Sequence, residues 1–125
     1  MGQEAITVVE KKMRLSWMLA FYGDMLTENQ REMARLHWEE DLTLAEIAEQ
    51  FTVSRQSVHD TLSRTEKQLE GMEQKLGMLK RFQAIEKGLR ACGEELTQVI
   101  PTADTAEHLA AAKRWIKALL DQAEE

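Results

Sequence analysis

Residues 43–62 constrain the fold most, because they carry two helix starts separated by a tight turn. Thr43 with Glu46 three residues later is a capping-box signature, and Ser54 is an N-cap residue for the helix that follows. The apolar residues of the segment fall at helical spacing: Leu44, Ile47, Ala48, Val53, Val58 and Leu62. A small residue is needed where two such helices cross, and Ala48 supplies it. The pattern predicts a helix-turn-helix, with Val53, Val58 and Leu62 filling the angle between its helices.

The rest of the chain also favours helices, so we predict an all-α protein. It contains only one proline and six glycines among many alanines, leucines, glutamates and lysines. A chain of 125 residues is enough for one hydrophobic core, and we expect a single domain over residues 1–125. Its predicted parts are an N-terminal helix over 4–26, a helix-turn-helix core over 27–66, the continuation of a long helix over 67–100 and a C-terminal helix over 104–123.

Two more helix starts follow from polar residues near predicted ends. Thr27 precedes Glu28, which predicts an N-cap followed by an acid that suits the positive end of the helix dipole. Pro101 ends the preceding helix, and Asp104 with Glu107 predicts the cap of the last one.

The second helix of the motif is predicted to continue as a long amphipathic arm. Its apolar positions alternate steps of four and three residues, as in a heptad repeat: Val58, Leu62, Thr65, Leu69, Met72, Leu76 and Leu79. The pattern slips between Lys80 and Gln83, where we expect a bend or a change of partner. One short C-terminal helix is too short to cover the stripe from Leu69 to Leu79, so we expect a homodimer through the long helix.

Polar residues on the second motif helix form the first candidate nucleic-acid-binding surface. Four of them are expected to face outward, towards base edges or phosphates: Arg55, Gln56, His59 and Arg64. Between residues 27 and 65, eight acidic and four basic residues leave a net charge of −4, which repels phosphate. The alternative is therefore a protein-interaction surface on the same scaffold.

The stretch from residue 75 to 90 is the second candidate, because five basic residues stand there against one acid, Glu86. Its candidate contacts to DNA or RNA phosphates are Lys80, Arg81, Lys87 and Arg90. The same charge also suits an anionic membrane surface, or simply the solvated face of a packed helix.

No group of residues predicts catalysis, a cofactor or a metal, and we expect a protein that is not an enzyme. His37, His59 and His108 are dispersed and lack ligand spacing. The single Cys92 excludes an intramolecular disulfide and falls on the apolar stripe, where a buried thiol is expected. Charged residues precede any long apolar run, so we expect a cytoplasmic protein without integral membrane insertion.

Over roughly residues 10–90 the chain resembles the YlxM-like family, small helical proteins similar to region 4 of sigma-70 factors. The resemblance rests on Phe21-Tyr22-Gly23, Leu26-Thr27, Gln30-Arg31, Leu44-x-Glu46-Ile47-Ala48, Val53 to Val58 with Asp60, Arg64-Thr65-Glu66 and Glu73-x-Lys75-Leu76. The chain departs from the family at His59 and Met72, where an aromatic residue is frequent, and at Thr52, where a small turn residue is frequent.

Genes of this family lie beside those for the signal recognition particle GTPase and its receptor. The resemblance therefore implies a non-enzymatic adaptor or regulator of that pathway, with particle components and DNA or RNA as partners. Two alternatives stay open: a dimeric DNA-binding transcription regulator, and a helical interaction scaffold that binds no nucleic acid. The acidic surroundings of the motif favour the first and the last of these three.

Overall fold

The computed structural model describes residues 7–123, which form α-helices and one 3-10 turn without any strand. The helices are α1 (Val8–Tyr22), α2 (Glu28–Trp38), α3 (Leu44–Phe51), α4 (Arg55–Leu76), α5 (Met78–Thr97) and α6 (Ala106–Ala123), and the 3-10 turn is Gly23–Met25. The all-α prediction is confirmed. The first residues of the helix predicted over 4–26 lie outside the described part. None of the described helices is long and apolar enough to cross a bilayer.

The described residues divide into two compact units, one that ends at Leu79 and one that starts at Lys80. The first unit contains α1 to α4, and the second contains α6 and nearly all of α5. The single domain over residues 1–125 stays a prediction.

Side-chain caps define the starts of the helices in the first unit. Thr27 and Thr43 each accept a hydrogen bond from the backbone N–H three residues later, and Ser54 accepts one from Ser57 at 3.0 Å. The N-caps predicted from the sequence at these three residues are thus confirmed. At α6 the prediction is wrong: the helix begins at Ala106, and the cap expected at Asp104 does not form. Nearby, the Thr105 hydroxyl accepts a hydrogen bond from the Thr102 N–H at 3.0 Å.

In the core of the first unit, the apolar side chains on one face of each helix pack together. Its buried apolar residues are Leu15, Met18, Leu19, Tyr22, Leu26, Met33, Ala34, Leu36, Trp38, Ile47, Ala48, Val58, Leu62, Leu69 and Leu79. Ala48, Val58 and Leu62 fill the angle of the helix-turn-helix as predicted, but Val53 does not, because 41% of it is exposed. Arg14 and Glu70 join α1 to α4 through two hydrogen bonds of 2.9 and 2.7 Å, which hold the pKa of Glu70 below its usual value.

The long helix predicted from Arg55 onward is interrupted at Gly77, three residues before the predicted slip. Gly77 has a φ of 62°, a left-handed conformation that glycine adopts without a steric penalty. Its N–H donates to the Glu73 carbonyl at 2.7 Å and thereby ends α4. The helix therefore stops at Leu76, and a separate helix starts at Met78.

A buried polar cluster links the end of α1 to this interruption. The Tyr22 hydroxyl donates to Glu73 Oε1 at 2.7 Å and accepts a hydrogen bond from the Met78 N–H at 3.1 Å. The same Glu73 oxygen accepts the Leu79 N–H at 3.0 Å. These N–H groups belong to the first turn of α5 and have no carbonyl partner within that helix. Tyr22 and Glu73 therefore cap α5 from a distance, and together with Gly77 they allow α4 to end.

This arrangement removes the physical argument given above for a dimer through the long helix. Leu69 and Leu79 are fully buried in the chain's own core, and Met72 is half-buried. Only Leu76 of the four is exposed, at 47%. The stripe from Leu69 to Leu79 is thus covered by the first unit itself, and the expectation that it is left open to a partner is wrong.

Replacing Tyr22 with Phe should destabilise the protein by about 2 kcal/mol, because it leaves the Met78 N–H without its acceptor and removes one of the hydrogen bonds that the buried Glu73 carboxyl group accepts. Chemical denaturation measures the change. Ser16→Ala is the control, since it removes a hydroxyl–carboxyl hydrogen bond at an exposed site and should cost less than about 0.5 kcal/mol. Equal costs for the two variants would contradict the role of the cluster.

Tyr22 is also the only tyrosine, so ultraviolet absorbance follows its ionisation alone. Burial, with the hydrogen bond to Glu73, raises the pKa of its phenol. The folded state therefore favours the neutral phenol, and this stabilisation is lost as pH rises through the raised value. Phenolate should appear later in native protein than in denatured protein, and coincident titrations would contradict the burial of this hydroxyl.

The turn of the helix-turn-helix contains a second left-handed residue, Thr52, with a φ of 55°. Non-glycine residues pay roughly 1–2 kcal/mol for this conformation. Thr52→Gly should therefore stabilise the protein by about 0.5–1 kcal/mol after the extra freedom of glycine in the unfolded chain is subtracted. Thr52→Ala, which keeps a Cβ atom, should gain much less; equal thermal midpoints for the two variants would contradict strain at this residue.

Candidate nucleic-acid interface

The helix-turn-helix consists of α3, the turn at residues 52–54 and the first half of α4. The turn is closed by two backbone hydrogen bonds: the Val53 N–H donates to the Ala48 carbonyl at 3.0 Å, and the Thr52 N–H donates to the Glu49 carbonyl at 3.3 Å. This is the Schellman pattern that reverses a chain after a helix. It presents the first turns of α4 to solvent, which is how a recognition helix is held ready for a groove.

The four predicted contact residues on α4 are all exposed: Arg55, Gln56, His59 and Arg64. Asp60, which the sequence analysis counted only among the acids of the motif, lies among them. Its Oδ1 atom accepts a hydrogen bond from Gln56 Nε2 at 2.9 Å and lies 3.6 Å from His59 Nδ1. A carboxylate therefore lies among the four predicted contact residues and engages the side-chain amide of one of them, Gln56.

Arg55 and Arg64 do not form one patch. An α-helix turns about 100° and rises about 1.5 Å per residue, so nine residues place them on opposite sides of α4 and about 13 Å apart along its axis. The arginines of α2 are paired with acids: Arg31 with Asp24 at 2.8 Å, and Arg35 with Glu32 at 2.7 Å. The Arg35 guanidinium also holds the pKa of Glu32 below its usual value.

The second candidate surface lies on α5. Lys80, Lys87 and Arg90 fall within about 80° of one another around the helix, whereas Arg81 lies on the side opposite Arg90. All four are exposed, and Arg90 is 3.4 Å from Glu86. The structure thus brings together three of the four predicted residues and separates Arg81 from them.

Helix α6 adds cations that sequence reasoning missed. Lys113 and Lys117, one helical turn apart, line a groove of about 330 Å³ together with Arg90 of α5. Gly93 and Ile116 also line it, and a Cβ atom at Gly93 would lie 3.6 Å from the Ile116 side chain. The signal that could have found them is the spacing of two lysines by four residues on a predicted helix. We call Lys80, Lys87, Arg90, Lys113 and Lys117 the basic face.

The two compact units, which meet in the sequence between Leu79 and Lys80, differ in formal net charge. Residues 7–79 contain nine basic and thirteen acidic residues, a net charge of −4, whereas residues 80–123 contain seven basic and six acidic residues, a net charge of +1. The unit with the helix-turn-helix therefore repels phosphate overall, and the other attracts it wherever its cations share a face.

Cys92 is exposed, so the prediction of a buried thiol is wrong. The half-buried apolar line of α5 runs through Leu89 and Leu96, and Cys92 lies about 60° to one side of Leu89. Within residues 7–123, no three histidine, cysteine or acidic side chains lie close enough together to hold a metal ion.

Comparison with known proteins finds one family whose members resemble this chain over most of its length. The profile of the UPF0122 family, described as YlxM / p13-like helix-turn-helix proteins, matches residues 9–107. A UPF0122 protein of Halalkalibacterium halodurans is 38% identical over 111 residues, covering 80% of this chain and 100% of the relative. A UPF0122 protein of Listeria welshimeri is 42% identical over 89 residues, covering 71% of this chain and 81% of the relative. One of Bacillus cereus is 46% identical over 76 residues, covering 61% and 69%.

Proposed function

We propose that this chain, which belongs to the YlxM / p13-like helix-turn-helix family, is a non-enzymatic adaptor of the signal recognition particle pathway that binds RNA phosphates through its second unit. Membership of the family confirms the resemblance described above. The pathway follows from the gene neighbourhood that this resemblance implies. The helix-turn-helix serves in this proposal as a scaffold, and phosphate binding belongs to the basic face.

The main support for the proposal is the position of the exposed cations. Three cations of the basic face, Arg90, Lys113 and Lys117, line one groove between α5 and α6 against a single acid, Asp121. On α4, by contrast, Asp60 holds Gln56 and lies beside His59. Cations that contact phosphates give affinity without sequence information, because sequence is read at base edges. Binding should therefore be salt-dependent and should show little sequence preference.

Removing two cations of the basic face should weaken RNA binding and its salt dependence. Lys87→Gln with Lys113→Gln is compared with Lys67→Gln with Lys75→Gln, which removes the same charge from α4. Anisotropy titrations use labelled signal recognition particle RNA and random duplex DNA at several salt concentrations. Each lost contact should lower the logarithmic salt slope by about 0.7 on single strands and 0.9 on duplex DNA. A larger effect of the α4 pair would contradict the proposal.

Asp60→Asn should change RNA affinity less than twofold, because the proposal places the phosphates on the basic face and the asparagine oxygen can still accept from Gln56. Glu107→Gln, an equal charge change on α6, should strengthen binding at least as much, by a gain that shrinks as salt increases. A two- to fivefold gain for Asp60→Asn, on the order of 0.4–1 kcal/mol, would place the nucleic acid on α4 instead.

The runner-up is a dimeric DNA-binding transcription regulator, favoured by one observation: the intact turn presents Arg55 and Gln56 to solvent. In that case, Arg55→Ala alone should abolish tight recognition of one DNA sequence, since a bidentate base contact contributes about 1–3 kcal/mol of discrimination. Under our proposal the same substitution changes RNA affinity less than threefold. A scaffold without nucleic-acid binding would show no saturable titration with either probe.

A further inference from the structure

A groove of about 440 Å³ lies within the first unit, apart from the basic face. Its floor is apolar: Leu15, Trp38 and Leu62 are buried, and Leu44 is half-buried. The rest of its wall is formed by Val8, Lys11, Lys12, His37, His59, Ser63 and Glu66. Its size is typical of pockets that take up an apolar group of a ligand and fix it with a few polar contacts.

The wall of the groove is more cationic than the unit around it. Lys11 and Lys12 stand against Glu66 in the wall and against Asp41, which pairs with Lys12, so these four charges balance within a unit whose net charge is −4. His37 and His59 add two imidazoles, whose ring nitrogens can donate or accept hydrogen bonds. The groove is thus a place on the acidic unit where acids do not outnumber cations and where an anionic group can contact two lysines.

Both lysines are paired with acids at solvent-exposed positions, and Lys12 Nζ lies 2.5 Å from Asp41 Oδ1. Lys11 Nζ lies 3.3 Å from Glu66, with 57% and 35% of the two side chains exposed. Lys12 pairs with Asp41, whose side chain is 74% exposed. Exposed pairs of this kind contribute about 0–1 kcal/mol, so an incoming carboxylate can replace them at little cost.

His37 offers a defined polar contact in the same wall. Its Nδ1 atom lies 2.7 Å from the Leu42 carbonyl oxygen, which can only accept, so Nδ1 carries the hydrogen. In the neutral ring this leaves Nε2 as the acceptor for a peptide N–H. The side chain is half-buried.

We propose that this groove docks an acidic peptide segment of a partner protein, with leucine-like side chains on the apolar floor and carboxylates at Lys11 and Lys12. The choice of occupant rests on complementarity between peptide and groove: leucine-like side chains match the apolar floor, and carboxylates match the two lysines of the rim. Duplex nucleic acid fits less well, because its phosphate backbone has no apolar group to bury against Trp38 and Leu44. The proposal is independent of RNA binding by the basic face.

The test is a titration of the isotope-labelled full chain with a hexapeptide that is N-acetylated and C-amidated. Changes in the backbone amide NMR shifts measure binding. The probe has two central leucines with two glutamates on each side. It should saturate with a Kd below about 1 mM and shift amides of α1, α2 and α4 around the groove. Two control peptides, one with lysines for the glutamates and one with serines for the leucines, should bind at least fivefold more weakly.

Variants separate the groove from general charge effects. Lys11→Gln with Lys12→Gln should weaken binding of the probe at least fivefold, while Lys67→Gln with Lys75→Gln should leave it unchanged. Well-dispersed spectra show that each variant is folded. Absence of saturation, equal binding of the lysine peptide, or shifts confined to other surfaces would overturn the proposal. Tighter binding of a uridine hexanucleotide at the same amides would assign the groove to single-stranded RNA instead and would equally overturn it.

Discussion

The Glu73 carboxyl group is the point on which the organisation of the first unit depends. One of its oxygens accepts hydrogen bonds from the Tyr22 hydroxyl and the Leu79 N–H, and Tyr22 in turn accepts the Met78 N–H. Burying a carboxyl group is costly unless its hydrogen bonds are made, and here they are made by α1 and by the first turn of α5. This one side chain thus links α1 to α4 and caps the first turn of α5, which allows the recognition helix to end at Leu76.

Local signals in the sequence predicted the fold well where the structure is determined locally. The caps at Thr27, Thr43 and Ser54 were readable because each pairs a side chain with a backbone group three residues away. The end of α4 was not readable in the same way. Glycine inside a helical pattern costs only about 1 kcal/mol, so Gly77 alone does not decide between a weak helix and a break. The deciding partner, Tyr22, lies 51 residues before Glu73.

The candidate site residues, too, were predictable only where local spacing along one helix determines their position. Exposure of Arg55, Gln56 and His59 was predictable, because the apolar positions Val58 and Leu62 fix which face of α4 is buried. Only the part of the basic face on α5 was predictable. Arg90 lines a groove with Lys113 and Lys117 because α5 packs against α6, and short-range spacing in the sequence does not predict that packing. Together these residues give a helix-turn-helix in which Asp60 lies among the predicted contact residues, and a separate unit whose exposed cations share a groove.

Lysine acetylation footprinting, with and without signal recognition particle RNA, tests this division most directly, because the lysines of the two units can be compared within one sample. Mass spectrometry gives the modification rate of each lysine. The account predicts that RNA protects Lys80, Lys87, Lys113 and Lys117 and leaves Lys67 and Lys75 on α4 as reactive as in the free protein. Protection of Lys67 and Lys75, with the lysines of the basic face unchanged, would contradict it.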